Sequence, residues 1–254
     1  MMALLIAQNT FREAIRDRVL AGVIVMGLVL LALTQLARPL AMGEGLRLTV
    51  DLGLSSISLL GLIVVLMVGT SLVGKEIERR TIYNLLSRPL PRPVYLVGKW
   101  AGLTLSLWTV STSLGVALWL LLAVQGQGDY GASLAQALYL ASLELSVITA
   151  IATMFSALST PVLSALYTLG AYLAGQWSGD LRAFAAQAPD VVRWTLEAMA
   201  NLVPNLTLFN MRTLAAEGAL TSPEHLGLAT LYALLYSGCV LALGAAAFES
   251  RDFK

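Results

Sequence analysis

Charge is what this chain has least of. Only 12% of its 254 residues are Asp, Glu, Lys or Arg, where an ordinary soluble domain carries about 25%. It has one cysteine, Cys239, and one histidine, His225. A single cysteine excludes a disulfide within the chain, and one residue of each kind excludes a His/Cys metal cluster. A net charge of +1 gives no sign of a nucleic-acid partner, and none is expected. What the chain has in plenty is apolar surface: 57% hydrophobic residues and a mean hydropathy of +0.78.

That apolar content is gathered into runs long enough to cross a bilayer, which takes about 20 residues at 1.5 Å rise each. The runs are Val19–Ala37, Leu52–Gly74, Trp100–Val124, Leu134–Ala157, Val162–Ser178 and Leu226–Phe248. Backbone polar groups in hydrocarbon must be satisfied within the segment, so the runs predict helices. The short alternating strands of a membrane barrel are missing. The expected fold is all-α and polytopic, with six transmembrane helices.

Six crossings put both termini on one side. That side collects Arg12, Arg16, Arg18, Lys75, Arg79, Arg80, Arg88, Arg92, Lys99, Arg251 and Lys254; the other holds Arg38, Arg47, Arg182, Arg193 and Arg212. The bias toward cytoplasmic Lys and Arg makes the first side cytoplasmic. The opening residues MMALLIAQNT lack a basic leader and a cleavage site, so no cleavable signal is expected. Gln8 to Arg18 reads as an amphipathic helix, with Leu4, Phe11 and Ile15 on one face. It is either an elbow lying in the cytoplasmic interface or a charged helix end that stops the first span from sliding.

Between the second and third spans runs KEIERRTIYNLLSRPLPRPVYLVGK, Lys75–Lys99, with a net charge of +4. Lys75 to Ser87 predicts a helix with Ile82, Leu85 and Leu86 on one face. Pro89, Pro91 and Pro93 then favour extended chain, which returns through Val94–Gly98. A solvated loop that only fixed orientation and bound anionic lipid heads would need the charges alone. Tyr83, Leu85 and Leu86 suit a partner's groove instead, where apolar knobs supply burial and arginines orient.

Thr81-Ile82-Tyr83, Leu85-Leu86-Ser87-Arg88-Pro89, Arg92 and Gly98-Lys99 together resemble the cytoplasmic loop of type-2 ATP-binding-cassette (ABC) permeases. The tail Phe248-Glu249-Ser250-Arg251-Asp252-Phe253 looks like that family's Phe-x-x-Arg-Asp-Phe ending. Pro204-Asn205-Leu206 with Phe209-Asn210 resembles its outer-loop segment. One departure is Arg80-Thr81-Ile82, where many relatives carry Gly-Thr-Leu. The likeness is greatest to the small bacterial permeases that include the nitrous-oxide-reductase maturation permease.

The resemblance implies one permease domain, residues 1–254, in the bacterial cytoplasmic (inner) membrane. It would work with a second permease chain, as homodimer or heterodimer, and with two ABC ATPase subunits that bind the ATP and Mg. The chain itself would be no enzyme and hold no cofactor. The 75–99 loop would carry the coupling helix, with Thr81, Ile82, Tyr83, Leu85, Leu86, Arg88 and Arg92 contacting the ATPase. The resemblance also implies rigid-body rocking of the spans for substrate export or translocation.

Other features of the chain bear on chemistry. Gly69-Thr-Ser-Leu-Val-Gly74-Lys75-Glu76 nearly spells a phosphate-binding loop, but Glu76 stands where a Mg-binding hydroxyl belongs, and the run ends an apolar helix. Glu144 is the one ionisable residue deep in a span. It is either a substrate or proton contact on the translocation path, or a carboxyl bonded to Ser142, Ser146, Thr149 or another helix's hydroxyl. Gly53, Gly61 and Gly69 recur every eight residues, for packing within the chain or along a dimer seam. Residues 179–225 predict an outer loop of short amphipathic helices, with Trp177 and Trp194 as interface anchors. Asn205-Leu206-Thr207 is a sequon that matters only in a eukaryotic secretory host.

Two competing classes are weaker. An intramembrane hydrolase needs a serine beside a partnered base, and His225 lies at the edge of the last span. A stand-alone secondary transporter is expected to show inverted repeats and broken helices, which are not evident.

Overall fold

The computed structural model describes residues 2–41, 44–71, 92–187 and 189–249, and these are helical almost throughout. The helices are α1 (Met2–Arg16), α2 (Arg18–Ala37), α3 (Gly45–Met67), α4 (Arg92–Val124), α5 (Gly131–Leu158), α6 (Pro161–Gln176), α7 (Ser178–Gln187), α8 (Asp190–Leu202), α9 (Arg212–Ala216) and α10 (Pro223–Glu249). Among the described residues α2, α3, α4, α5 and α10 are long and apolar enough to cross a membrane. The sixth expected span, 162–178, corresponds to α6. At 16 residues, α6 rises about 24 Å, short of a hydrocarbon core of about 30 Å.

Helix α5 is the axle of the bundle. Every residue from Leu140 to Thr153 is buried. With no water to take their hydroxyls, Ser142, Ser146, Thr149 and Thr153 each donate to the carbonyl four residues back, at 2.6–2.8 Å. Around α5 lies the main core, which includes Leu20 and Val23 of α2, Leu60 and Val64 of α3, Leu103 and Leu107 of α4, and Ala233 and Leu241 of α10. Gly53, Gly61 and Gly69 face inward, against Leu118, Leu145 and Leu103 respectively. They let neighbouring helices approach closely inside one chain.

Two smaller clusters close the ends. Tyr95, Leu96, Ala157, Ala245 and Phe248, with Ile6 of α1, form one end, here termed the base. Leu31, Val50, Leu54, Leu118, Leu122, Leu134, Ala137, Ala215 and Ala216 form the top. Chain connectivity follows: α5 descends to the base at Ala157, α6 climbs back, and α10 descends again to Phe248.

Three boundaries differ from the sequence reading. Helix α3 begins at Gly45, seven residues before the expected Leu52, because Arg47 and Asp51 do not end it. Arg47 stands at the top, where it meets Glu217 at 2.8 Å and Glu44 at 3.8 Å. Helix α4 begins at Arg92 rather than Trp100, so Val94–Gly98 is helical, not extended. Pro93 falls in its first turn, where the missing N–H has no helical partner to lose. Helix α6 stops at Gln176, and α7 starts at Ser178 after a break at Trp177.

Helix α1 is separated from α2 by Asp17, whose carboxylate accepts from the Val19 amide at 3.0 Å and so caps α2. Its packed side is its small side. Ala14 and Thr10 are buried, and a Cβ on Gly98 or Gly102 of α4 would collide with Ile6 or with the Ala7 carbonyl and Thr10. The large apolar side chains point away: Leu4 is 72% exposed and Leu5 57%. Arg12, Glu13 and Arg16 are exposed as well.

Candidate functional site

Two regions carry function-bearing residues. The first is the base. Thr81, Ile82, Tyr83, Leu85, Leu86 and Arg88 lie outside the described residues, as do the end of the second expected span and tail residues 250–254. Arg92 opens α4, and its side chain also lies outside what is described. What is described is where that segment enters the bundle. Tyr95 and Leu96 are buried against Ala157 and Phe248. Lys99 is 4% exposed, and its Nζ sits 5.9 Å from the Tyr95 ring centre, within reach of a cation–π contact. With α1 locked onto Gly98 and Gly102, the first turns of α4, α1 and the end of α10 form one packed unit.

The second region is built around Glu144. Only 3% of Glu144 is exposed. Its partners are not the hydroxyls of Ser142, Ser146 and Thr149, which bond their own helix. Instead the Gln176 side-chain amide donates to Glu144 Oε1. The length of α6 makes this contact. Glu144 stands 14 residues above Leu158, and Gln176 stands 15 above Pro161. Both are therefore about 21–23 Å above the shared turn at Ser159 and Thr160.

Arg212 is the first residue of α9. Its Nη1 donates to Ser55 Oγ of α3 at 3.3 Å. One turn before Gln176, Tyr172 packs at the edge of the main core on the same helix. Carboxylate and amide, from α5 and α6, thus answer one another in the upper half of the bundle, while the guanidinium of α9 is bonded to α3. An ionised carboxylate in such a place is costly without a partner.

The segment that brings Arg212 down is itself seated in the core. After Pro204, the turn Leu206–Phe209 buries both of its end residues. The Asn205 amide donates to the Tyr232 hydroxyl at 2.8 Å, while its side-chain oxygen accepts from Ser178 at 3.0 Å and Thr207 at 2.6 Å. His225 Nε2 lies 3.0 Å from the Leu208 carbonyl. Sequence reasoning counted Arg212 only as a charge on the other side and gave Gln176 no role. The signal available was the unpaired Glu144 itself, which requires a polar partner from elsewhere in the chain.

A largely apolar groove of about 590 Å³ runs between α4 and α5, lined by residues including Trp108, Trp119, Leu134, Leu138 and Tyr139. The Trp108 indole N–H is shared between the Ser142 carbonyl and Ser146 Oγ, both at 3.0 Å, so the ring presents carbon to the groove. Among the described residues no group of His, Cys, Asp and Glu is arranged to hold a metal.

A central buried helix, several further spanning helices and a buried carboxylate bonded within the bundle define a polytopic helical membrane protein. Residues 4–253 match the family described as "ABC-2 family transporter protein". The chain belongs to that family and is, at the family level, an ABC transporter permease. No curated protein is significantly similar to it.

Proposed function

We propose that this chain is the membrane-spanning subunit of an ABC transporter, driven by two separate ATPase subunits and paired with a second permease chain. The family match over residues 4–253 carries this reading. The Lys75–Lys99 segment supports it with a net charge of +4 and the apolar residues Tyr83, Leu85 and Leu86. The ATPase contact set is Thr81, Ile82, Tyr83, Leu85, Leu86, Arg88 and Arg92. ATP and Mg belong to the partner, and the permease hydrolyses nothing itself.

The arrangement in the membrane follows. Helix α6 is the sixth crossing, shortened at its top, and both termini and the coupling segment face the cytoplasm of a bacterial inner membrane. Packing of Ile6 onto the cluster that contains Phe248, at one end of the bundle, supports that arrangement. Helix α1 is an interfacial elbow, its exposed Leu4, Leu5 and Ile15 in lipid and its arginines among headgroups. Force applied at residues 75–91 enters α4 directly and takes α1 with it, since the two are packed at Gly98 and Gly102.

Kinship with the nitrous-oxide-reductase maturation permease is part of this proposal. A stand-alone secondary transporter is the alternative. Mass spectrometry of the intact assembly taken from its membrane separates them: the permease reading expects an ATPase subunit bound to a dimer of permease chains. A carrier that emerges alone and transports without ATP overturns it.

A further inference from the structure

The walls of the groove between α4 and α5 define what it can hold. The two helices run antiparallel and meet in one register. At the lower end the Trp108 indole bonds to the Ser142 carbonyl. At the upper end a Cβ on Gly131 would lie 2.9 Å from Trp119 Nε1. Between them a Cβ on Gly115 would collide with Leu138, so the helices touch and close the floor. Trp119 comes 11 positions after Trp108, and Ser142 comes 11 after Gly131. The groove is therefore about 16–17 Å long. That is close to the depth of one leaflet, half of a hydrocarbon core of about 30 Å.

Every side-chain donor of the lining is already committed. Thr112 Oγ1 donates to the Trp108 carbonyl at 2.7 Å, and Ser142 Oγ to the Leu138 carbonyl at 2.8 Å. Thr230 gives its own proton to the Leu226 carbonyl, so the Tyr139 hydroxyl donates to Thr230 Oγ1 at 2.8 Å. The Trp119 N–H faces the Gly128 carbonyl at 3.4 Å. What remains toward the groove is carbon, which suits an occupant that needs no hydrogen bond. Val116 and Trp119 line the groove and are themselves exposed. The groove thus opens onto the outward surface of α4, which exposed Leu105 and Leu120 continue. On a spanning helix that surface meets hydrocarbon.

We infer that this groove binds one acyl chain of a phospholipid from the leaflet at the top of the bundle. A chain lying there touches protein on its floor and both walls, whereas a chain on a convex helix face touches one side. The dispersion contacts multiply accordingly. A helix of a second copy fits less well. Eleven helical residues fill a cylinder of about 1,300 Å³ at a diameter of about 10 Å, more than twice the groove's 590 Å³. The site stands on the geometry of a single chain; only the name outer leaflet rests on the permease reading.

The test uses full-length protein in nanodiscs made with a phosphatidylcholine that carries a diazirine midway along one acyl chain. Samples are irradiated in the nanodisc, or after transfer to detergent and washing, and the adducts are mapped by mass spectrometry. Leu231, Leu234 and Leu235 on the outward face of α10 report on bordering lipid. On transfer their adducts should fall about tenfold or more, while those on 108–119 and 131–142 stay within about threefold. Ala135 lines the groove and is exposed, so Ala135→Trp fills it without entering the core. That variant should lose the retained groove adducts about tenfold or more and keep those on α10 in the nanodisc.

Groove and α10 adducts that fall together on transfer overturn the bound lipid. So do retained groove adducts in Ala135→Trp. A groove left unlabelled in the nanodisc while α10 is labelled assigns it to a protein cover, a second copy included, and also overturns the proposal. If Ala135→Trp does not accumulate, Val116→Trp decides in the same way. Failure here leaves the permease reading intact, and loss of an ATPase partner leaves the bound lipid intact.

Discussion

Gln176 donates its side-chain amide to Glu144 across 32 residues of chain, from the end of one helix to the middle of another. The contact exists because α5 and α6 leave their shared turn together and α6 is cut off at the height of the carboxylate. Removing the donor should therefore cost more than altering the acceptor. Gln176→Leu leaves a buried carboxylate short of a donor and should destabilise the protein by about 1–3 kcal/mol. Glu144→Gln keeps an acceptor in place and should cost less. Adding Glu144→Leu to Gln176→Leu should recover part of the loss, since both polar partners are then gone. Thermal unfolding in lipid nanodiscs, followed by circular dichroism, ranks the three.

The union of α1 with α4 depends on the absence of side chains. A Cβ on Gly102 would lie 2.5 Å from the Ala7 carbonyl oxygen. Gly102→Val should force α1 off the bundle, at a cost of about 1–3 kcal/mol for overpacking, and expose the Asp17 joint to protease. Gly170, which has nothing near its Cβ position, is the control: Gly170→Ala should leave proteolysis unchanged.

The buried turn before α9 hangs on one phenol. Tyr232→Phe leaves the Asn205 amide without its 2.8 Å partner and should cost about 1 kcal/mol. Faster amide exchange confined to residues 203–210, with α5 still protected, is the expected signature. Exchange rising uniformly through the bundle would contradict a local role.

Much of this fold was legible in the sequence, and what was missed has identifiable causes. Helices α5 and α10 lie within three residues of the expected spans because apolar runs between polar ends fix them without reference to neighbours. The start of α3 was misplaced because Arg47 and Asp51 looked like a membrane boundary, whereas Arg47 is answered by Glu44 and Glu217 at the exposed top. Three prolines hid the start of α4, since the one at Pro93 occupies a first turn that tolerates it. Glu144 was recognisable as exceptional from its position alone. Its partner was not, because it depends on where α6 ends, a product of packing between elements distant in sequence.

The grip of an ATPase on the Lys75–Lys99 segment is tested most directly by Leu86→Asp, with the ATPase subunit quantified after gentle extraction of the assembly. A charge on an apolar knob in the partner's groove should reduce ATPase recovery by about tenfold or more, while the bundle keeps its unfolding temperature and ATP-driven transport is lost. Full ATPase recovery and undiminished transport by Leu86→Asp would contradict the account at its centre.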